Sequence, residues 1–485
     1  MISIRLGIAA AIVFPSVCLA GSCEGISSST PETTLSAALR PPAGNLPAYC
    51  RVLAVARPAP DSEIHVEIWL PPAEAWNGKF LGTGNGGYSG ALSYRQMEGA
   101  LQQGYATAGS DTGHSGADLL FGAGHPEKID DWAWRAVHVM TEIARQAMHS
   151  YYGRSAAHSY FAGCSTGGQQ ALTEAQRFPD DYDGIVAGAP GINRVRLNIG
   201  FLWSWRALQD SGDPLPVSKL PMLAHAVISA CDALDGLSDG IISDPRRCSF
   251  DPGVLQCKGA ADGSCLTAAQ VTAVRRIYEG ARNPRTGEHI FPGWPRGSEA
   301  GWGGYFVGLR EPARVDFWRY WVFHNPDWNP RTFDFDKDVA EADRKMAGIA
   351  SLDTDLSAFQ KRGGKILMYQ GWADPVVPPE NTIHYYESVR GSAGETADFF
   401  RLFMVPGMSH CAGGPGPNTF DALDVLDRWA EQGAAPERIV ASHSSNGKVD
   451  ATRPLCPWPQ QAHWTGAGRG DEAVQFVCGS DQSGH

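Results

Sequence analysis

The chain reads as an α/β protein whose mostly parallel sheet is interrupted by one large insertion and pinned by disulfides. Three observations predict this. Strand-like and helix-like patterns alternate from residue 64 to residue 188, stop near Gly191, and resume near Lys365. The stretch between has a different composition, with clustered cysteines and many aromatics. The cysteines also come to an even number once an N-terminal export segment is set aside. Strands alternating with helices imply parallel pairing, with helices covering both faces of the sheet.

The elements follow in order. Residues 64–70 alternate with period two, as a half-buried strand does. Residues 79–83 form a second strand, running into the loop Gly84-Asn85-Gly86-Gly87-Tyr88-Ser89-Gly90, and residues 105–109 a third. Residues 131–150 place Val137, Met140, Ala144 and Ala147 on one helical face. Residues 159–163 read as a strand, 167–178 as a helix and 184–188 as a buried strand. Beyond the insertion come a strand at 365–369, a helix at 379–389, a strand at 399–405 and a helix at 419–431. The predicted organisation is a core of residues 21–190 and 360–485 carrying an insertion of residues 191–359. The insertion holds twelve aromatics between Trp294 and Phe335.

Composition bounds the function. Of 485 residues, 43% are apolar and 19% charged, which supports a large core and excludes a disordered chain. Gly (56) and Pro (33) predict long, numerous loops. A net charge of −12 argues against nucleic acid and anionic membrane surfaces as partners. Arg5 precedes an apolar run at residues 6–14, too short to span a bilayer, and Cys18-Leu19-Ala20 offers small residues for cleavage. Residues 1–20 are therefore expected to be a signal peptide, making the protein secreted or periplasmic. Pro15 and Ser16 break the run against an uncleaved anchor, and no Leu stands three residues before Cys18 or Cys23 to support a lipoprotein.

Ten cysteines then remain, and an even number in an exported chain reads as disulfides. Neighbours couple as Cys23 with Cys50, Cys231 with Cys248, Cys257 with Cys265, and Cys456 with Cys478. Cys164 and Cys411 are left as a distant fifth pair. Zinc is the competing use of cysteine, but no CxxC pair occurs.

Gly163-Cys164-Ser165-Thr166-Gly167 satisfies G-x-S-x-G between a predicted strand and helix. A sharp strand-to-helix turn lifts a serine hydroxyl above the sheet, and the helix N-terminus supplies N–H groups for an oxyanion. Such a serine needs a base, and the base needs an orienting carboxylate. Asp374 follows the strand at 365–369, and His410 follows the strand at 399–405. The order Ser165, Asp374, His410 is that of α/β-hydrolases, each residue lying just beyond a strand. His114 and His138 are alternative bases, although His114 precedes the nucleophile and His138 lies in a helix. A Cys164–Cys411 bond would seat Ser165 beside His410; two buried free thiols are the alternative.

Together, Cys164-Ser165, Asp374 and His410-Cys411 resemble the CS-D-HC motif of the tannase/feruloyl esterase family. The Gly84–Gly90 loop and the Ser110-Asp-Thr-Gly-His-Ser-Gly116 stretch resemble it too, over nearly the whole mature chain. The resemblance implies an α/β-hydrolase fold with a lid insertion and hydrolysis of esters of aromatic carboxylic acids. The family includes feruloyl esterases, tannases and mono(2-hydroxyethyl) terephthalate hydrolases. Thr166 N–H is expected to give one half of the oxyanion hole, and Gly86 or Gly87 the other.

Residues 231–241 place Asp232, Asp235 and Asp239 within eight residues, with glycines for tight turning. Hard oxygen donors at this density suit Ca²⁺ rather than Zn²⁺, against a plain solvated acidic turn. The family resemblance implies a structural lid calcium held by those three side chains and by the carbonyls of Leu237 and Ile241. Aromatic density in the lid suggests stacking on a planar acyl group, though such residues equally build a core. Arg310, Arg314 and Arg319 are cations available to a carboxylate or to galloyl hydroxyls, with a plain surface charge as the equal alternative for each. A small feruloyl-type ester is the first expectation, with galloyl esters and terephthalate monoesters as alternatives. A peptidase and an inactive binding protein on a hydrolase scaffold are the remaining readings.

Overall fold

The computed structural model describes residues 21–27, 30–394 and 396–480. The expected signal peptide lies outside them. The central sheet is built from β1 (Thr33–Arg40), β2 (Tyr49–Ala56), β3 (Ile64–Leu70), β4 (Lys79–Thr83), β5 (Ala106–Ser110), β6 (His158–Cys164) and β7 (Gly184–Gly188). The chain then leaves the sheet, forming among other elements the small hairpin of β8 (Ala281–Arg282) and β9 (His289–Phe291). It returns as β10 (Lys365–Gly371) and β11 (Phe400–Val405). Among the described residues the sheet has nine strands in the order β1-β2-β3-β5-β4-β6-β7-β10-β11.

From β5 to β11 neighbouring strands are parallel, while β1, β2, β3 and β5 pair antiparallel. Buried on both faces, the parallel strands read as nearly continuous apolar runs. Their register matters most for the site. Cys164 pairs with Gly188, Tyr369 with Gly188, and Gly371 with Val405, so β6, β7, β10 and β11 end along one edge. That carboxyl edge is where open α/β sheets hold their ligands.

The sequence-predicted strands and helices are all present, with ends moved by a few residues. The predicted helix at 131–150 begins as one wide turn, Asp131–Arg135, and continues as Ala136–Tyr152. Two antiparallel strands, β1 and β2, extend the sheet beyond the predicted set. Four short strands follow at the C-terminus, β12 (Ile439–Ser445), β13 (Lys448–Leu455), β14 (Gln461–Trp464) and β15 (Phe476–Gly479).

Five disulfides join the five predicted pairs, with Cα–Cα separations between 5.0 and 5.9 Å. The insertion packs its own core. Trp302, Phe306, Phe317, Trp318 and Trp321 are all fully buried there, and Trp294, Tyr305 and Phe335 meet Phe201 and Trp203 of the helix Arg194–Gln209 ring to ring. Most of the insertion's aromatic density is therefore core. The helical stretch Val217–Asp235 is long and apolar enough to cross a bilayer, but its Leu220, Leu223, Val227 and Cys231 join this same core.

The insertion grips the Asp374 loop. Trp294 Nε1 donates to the Pro375 carbonyl at 2.6 Å, and a Cβ on Gly301 would stand 2.4 Å from Pro375. Close by in sequence, the fully buried Glu299 accepts from Gly297 N–H and the Tyr278 hydroxyl. Burial raises its carboxyl from 4.5 to about 7. A carboxyl raised on folding binds protons more tightly in the native state, so its contribution is full below pH 4.5 and declines as pH rises through 7. Across that window the loss is on the order of 3 kcal/mol. Glu299→Gln should flatten the fall of denaturant-measured stability between pH 5 and about 8; an unchanged slope would contradict the assignment.

Candidate active site

Strand β6 ends at Cys164 and the helix Thr166–Arg177 begins two residues later, leaving Ser165 alone to make the turn. It does so with a positive φ of 62°, a conformation costing a non-glycine residue about 1–3 kcal/mol. Hydrogen bonds from both sides hold it there. Ser165 N–H donates to the Gly188 carbonyl at 2.9 Å, and the Ser165 carbonyl accepts from Gly191 N–H at 3.2 Å. The motif glycines exist for close approach, since a Cβ on Gly163 would lie 2.6 Å from the Gly167 backbone.

Asp374 follows β10 and is completely buried. One carboxylate oxygen accepts from Val376 and Val377 N–H at 2.7 and 3.0 Å; the other accepts from Gln370 Nε2 at 2.9 Å. That second oxygen also accepts from His410 Nδ1 at 2.8 Å. Four donors on one carboxylate fix its position and leave the Nε2 edge of His410 for proton transfer. The loop carrying His410 is laced to β10. Trp372 N–H donates to the Val405 carbonyl, and Ala373 N–H to the Met408 carbonyl, both at 3.0 Å. The Cys164–Cys411 disulfide, with a Cα–Cα distance of 5.9 Å, then ties the Ser165 turn to that loop. No hydrogen bond joins the Ser165 hydroxyl to His410 among the described residues; such contacts are often long before substrate binds.

The Gly84–Gly90 loop lies against the start of the same helix. Asn85 N–H donates to Gln170 Oε1 at 2.9 Å, and Asn85 Nδ2 donates to the Ala91 and Ser110 carbonyls. Thr166 Oγ1 donates to the Gly87 carbonyl at 2.7 Å, and His114 Nε2 donates to the Tyr88 carbonyl at 2.9 Å. The N–H groups of Asn85, Ser89 and Gly90 go to acceptors. Those of Gly86 and Gly87 have no such partner among the described residues. In the first turn of a helix, Thr166 N–H also lacks an intrahelical acceptor.

Neither alternative base lies in the site. His114 is buried, stacked on Phe121 and spent on the Tyr88 carbonyl. His138 pairs with Asp181 at 2.6 Å and stacks on Phe178. Sequence reasoning passes over His114 as a loop-shaping group and over Arg194. Arg194 contacts Thr166 from a helix 28 residues away, a proximity no local pattern encodes.

Of the three lid arginines, Arg310 is exposed, and Arg319 pairs with Glu311 at 2.5 Å and Asp316 at 3.6 Å. Arg314 instead lies 4.7 Å from the Phe201 ring and 5.6 Å from the Tyr88 ring, and burial lowers its pKa.

In the acidic loop, Asp232 Oδ1 accepts from the N–H groups of residues 239, 240 and 241 at 2.9–3.2 Å. Asp235 takes Leu237 N–H and the Ser243 hydroxyl, and Asp239 pairs with Arg453. Burial raises the Asp239 carboxyl despite that arginine. Among the described residues, the acidic group whose ligand atoms converge within 4.8 Å is a different one: His138, Glu174 and Asp181.

Comparison with known proteins agrees with this architecture. The family model described as tannase and feruloyl esterase matches residues 50–479. An uncharacterized esterase of Xanthomonas campestris is 40% identical, covering 93% of this chain and 89% of that protein. A probable feruloyl esterase B-2 of Aspergillus flavus is 35% identical, over 81% of this chain and 80% of that protein. The crystal structure of feruloyl esterase B from Aspergillus oryzae superposes with a TM-score of 0.86 and 30% identity, covering 93% of this chain and 98% of that one. The chain thus belongs to the tannase and feruloyl esterase family of carboxylic ester hydrolases, on an α/β-hydrolase fold.

Proposed function

We propose that the protein is an exported serine esterase that cleaves small esters of hydroxycinnamic acids through an acyl-enzyme. The observation that carries this is the Asp374–His410 contact at 2.8 Å beside a Ser165 turn covalently tied to the histidine loop. Ser165 attacks the ester carbonyl while His410 takes its proton and then returns it to the leaving alcohol. Asp374 holds the imidazole tautomer and balances the charge that develops. Thr166 N–H, with Gly86 or Gly87, receives the oxyanion; one such donor is worth roughly 3 kcal/mol. Water admitted after the alcohol departs completes the cycle. Export is supported by the five disulfides and by the composition of residues 1–20.

Residues 191–359 serve as the lid in this reading. The similarity to proteins named feruloyl esterase supports a hydroxycinnamate as the acyl group. Tannase-type galloyl esters and mono(2-hydroxyethyl) terephthalate are the alternatives within the family. Methyl ferulate, methyl gallate and mono(2-hydroxyethyl) terephthalate assayed side by side should rank ferulate first by kcat/KM. Preference for either competitor by tenfold or more would replace the hydroxycinnamate assignment.

A structural Ca²⁺ at Asp232, Asp235 and Asp239, with the Leu237 and Ile241 carbonyls, is part of the same proposal. The donor set fits. It is all oxygen, it is braced by Cys231–Cys248, and three carboxylates crowd a turn with one arginine, Arg453, paired to Asp239. EGTA should lower Tm by several degrees, restored by Ca²⁺ and not by Mg²⁺; an unchanged Tm would count against the site.

Two substitutions test the machinery. Asp374→Asn should lower kcat by about 10⁴ with the fold retained, because the histidine tautomer is lost. Cys164→Ala releases a bridge between residues 247 apart, worth up to about 5 kcal/mol in the chain-entropy model, and should remove most activity. Full activity in Cys164→Ala would show that the bridge does not seat the histidine.

A further inference from the structure

Arg194 is a cation enclosed in protein. It is 1% exposed, and among the described residues no carboxylate pairs with it. Its guanidinium lies 5.5 Å from the Tyr88 ring centre and 5.4 Å from that of Trp132. Burial lowers its pKa to about 10, so it stays charged at neutral pH. Its contacts are to neutral oxygens: Nη2 donates to Thr166 Oγ1 at 2.8 Å, and Nε and Nη2 donate to Gln169 Oε1 at 3.0 and 2.8 Å. A Cβ on Gly191 would stand 2.8 Å from Nη2, so the guanidinium lies directly on the loop whose Gly191 N–H donates to the Ser165 carbonyl. Enclosing an unpaired charge is costly, and a core side chain would fill this space at less expense.

The donor rules explain what the charge does. Arginine has no acceptor, so Thr166 Oγ1 must accept from it. The single Thr166 proton is then directed to the Gly87 carbonyl, 2.7 Å away. Without Arg194 that hydroxyl is a free rotor with two roles open to it. With Arg194, one chain of two hydrogen bonds runs from the helix Arg194–Gln209 through Thr166 to Gly87. It thereby joins the residues on both sides of the proposed oxyanion hole. Gln169, on the next turn of the nucleophile helix, receives the other half of the guanidinium fork and fixes its plane.

We infer that Arg194 is a positioning residue of the oxyanion hole, acting through the Thr166 hydroxyl to hold the Gly86-Gly87 backbone in register with the Thr166 N–H. This rests on the serine esterase reading and deepens it. Its action falls on the transition state, because the acyl group in the ground state does not need that register.

The test measures kcat and KM on p-nitrophenyl acetate, and the inhibition constant of a phenyl trifluoromethyl ketone, whose adduct with serine carries the oxyanion. Thr166→Val keeps the N–H and the side-chain shape while removing the hydroxyl. Arg194→Met removes the cation, and Arg194→Lys keeps the charge without the fork should the methionine variant not fold. Thr166→Val and the Arg194 variant should each lower kcat about 10- to 100-fold, with ketone binding weakened in parallel and KM changed less than about threefold. The double variant should fall no further than about threefold below the worse single one, since both break one chain. Unchanged kcat in Thr166→Val, losses confined to KM, or losses that multiply in the double variant would overturn the assignment. Failure of the wild-type protein to hydrolyse any ester would instead remove the esterase reading beneath it.

Discussion

The Cys164–Cys411 bond is the constraint on which the rest of the site depends. Its two cysteines flank the proposed nucleophile and the proposed base, and the residues it joins lie 247 apart. Parallel register already ends β6, β10 and β11 at one edge of the sheet. Register alone, however, leaves a loop such as residues 406–418 with many conformations. A covalent bond to the nucleophile turn removes most of them before any substrate arrives, and the four hydrogen bonds on Asp374 remove the freedom of the imidazole. The strained φ at Ser165 persists because Gly188, Gly191 and the disulfide all hold the turn from outside.

The insertion contributes rigidity first. Its tryptophans and phenylalanines are spent on a core of their own, and through Trp294 and Gly301 that core bears on Pro375, next to the proposed catalytic carboxylate. Where the two parts meet, Tyr88 packs on Trp132 and Trp321, and Arg314 of the insertion lies over the Tyr88 and Phe201 rings, so the contact between them is itself core.

The parallel half of the sheet is legible in the sequence because strands buried on both faces are short apolar runs bounded by glycine, as at 184–188 and 365–369. The proposed triad is legible for the same reason, each member standing at or a few residues beyond the end of such a run. β1 escapes because only one of its faces packs and its residues alternate between half-buried and exposed. The last hairpin, β14–β15, escapes because the β14 residues are only half-buried and the Cys456–Cys478 bond ties β15 to the end of β13. Arg194 escapes because its meaning lies in what it lacks, a carboxylate partner, and in a contact with Thr166 that only the folded chain creates.

The most direct measurement is covalent. Wild-type protein treated with a fluorophosphonate and mapped by peptide mass spectrometry should carry the label on Ser165 alone, and His410→Ala should abolish labelling while keeping the Cys164–Cys411 peptide pair intact. A label on another serine, or equal labelling of the histidine variant, would contradict a nucleophile activated by the base that the disulfide holds beside it.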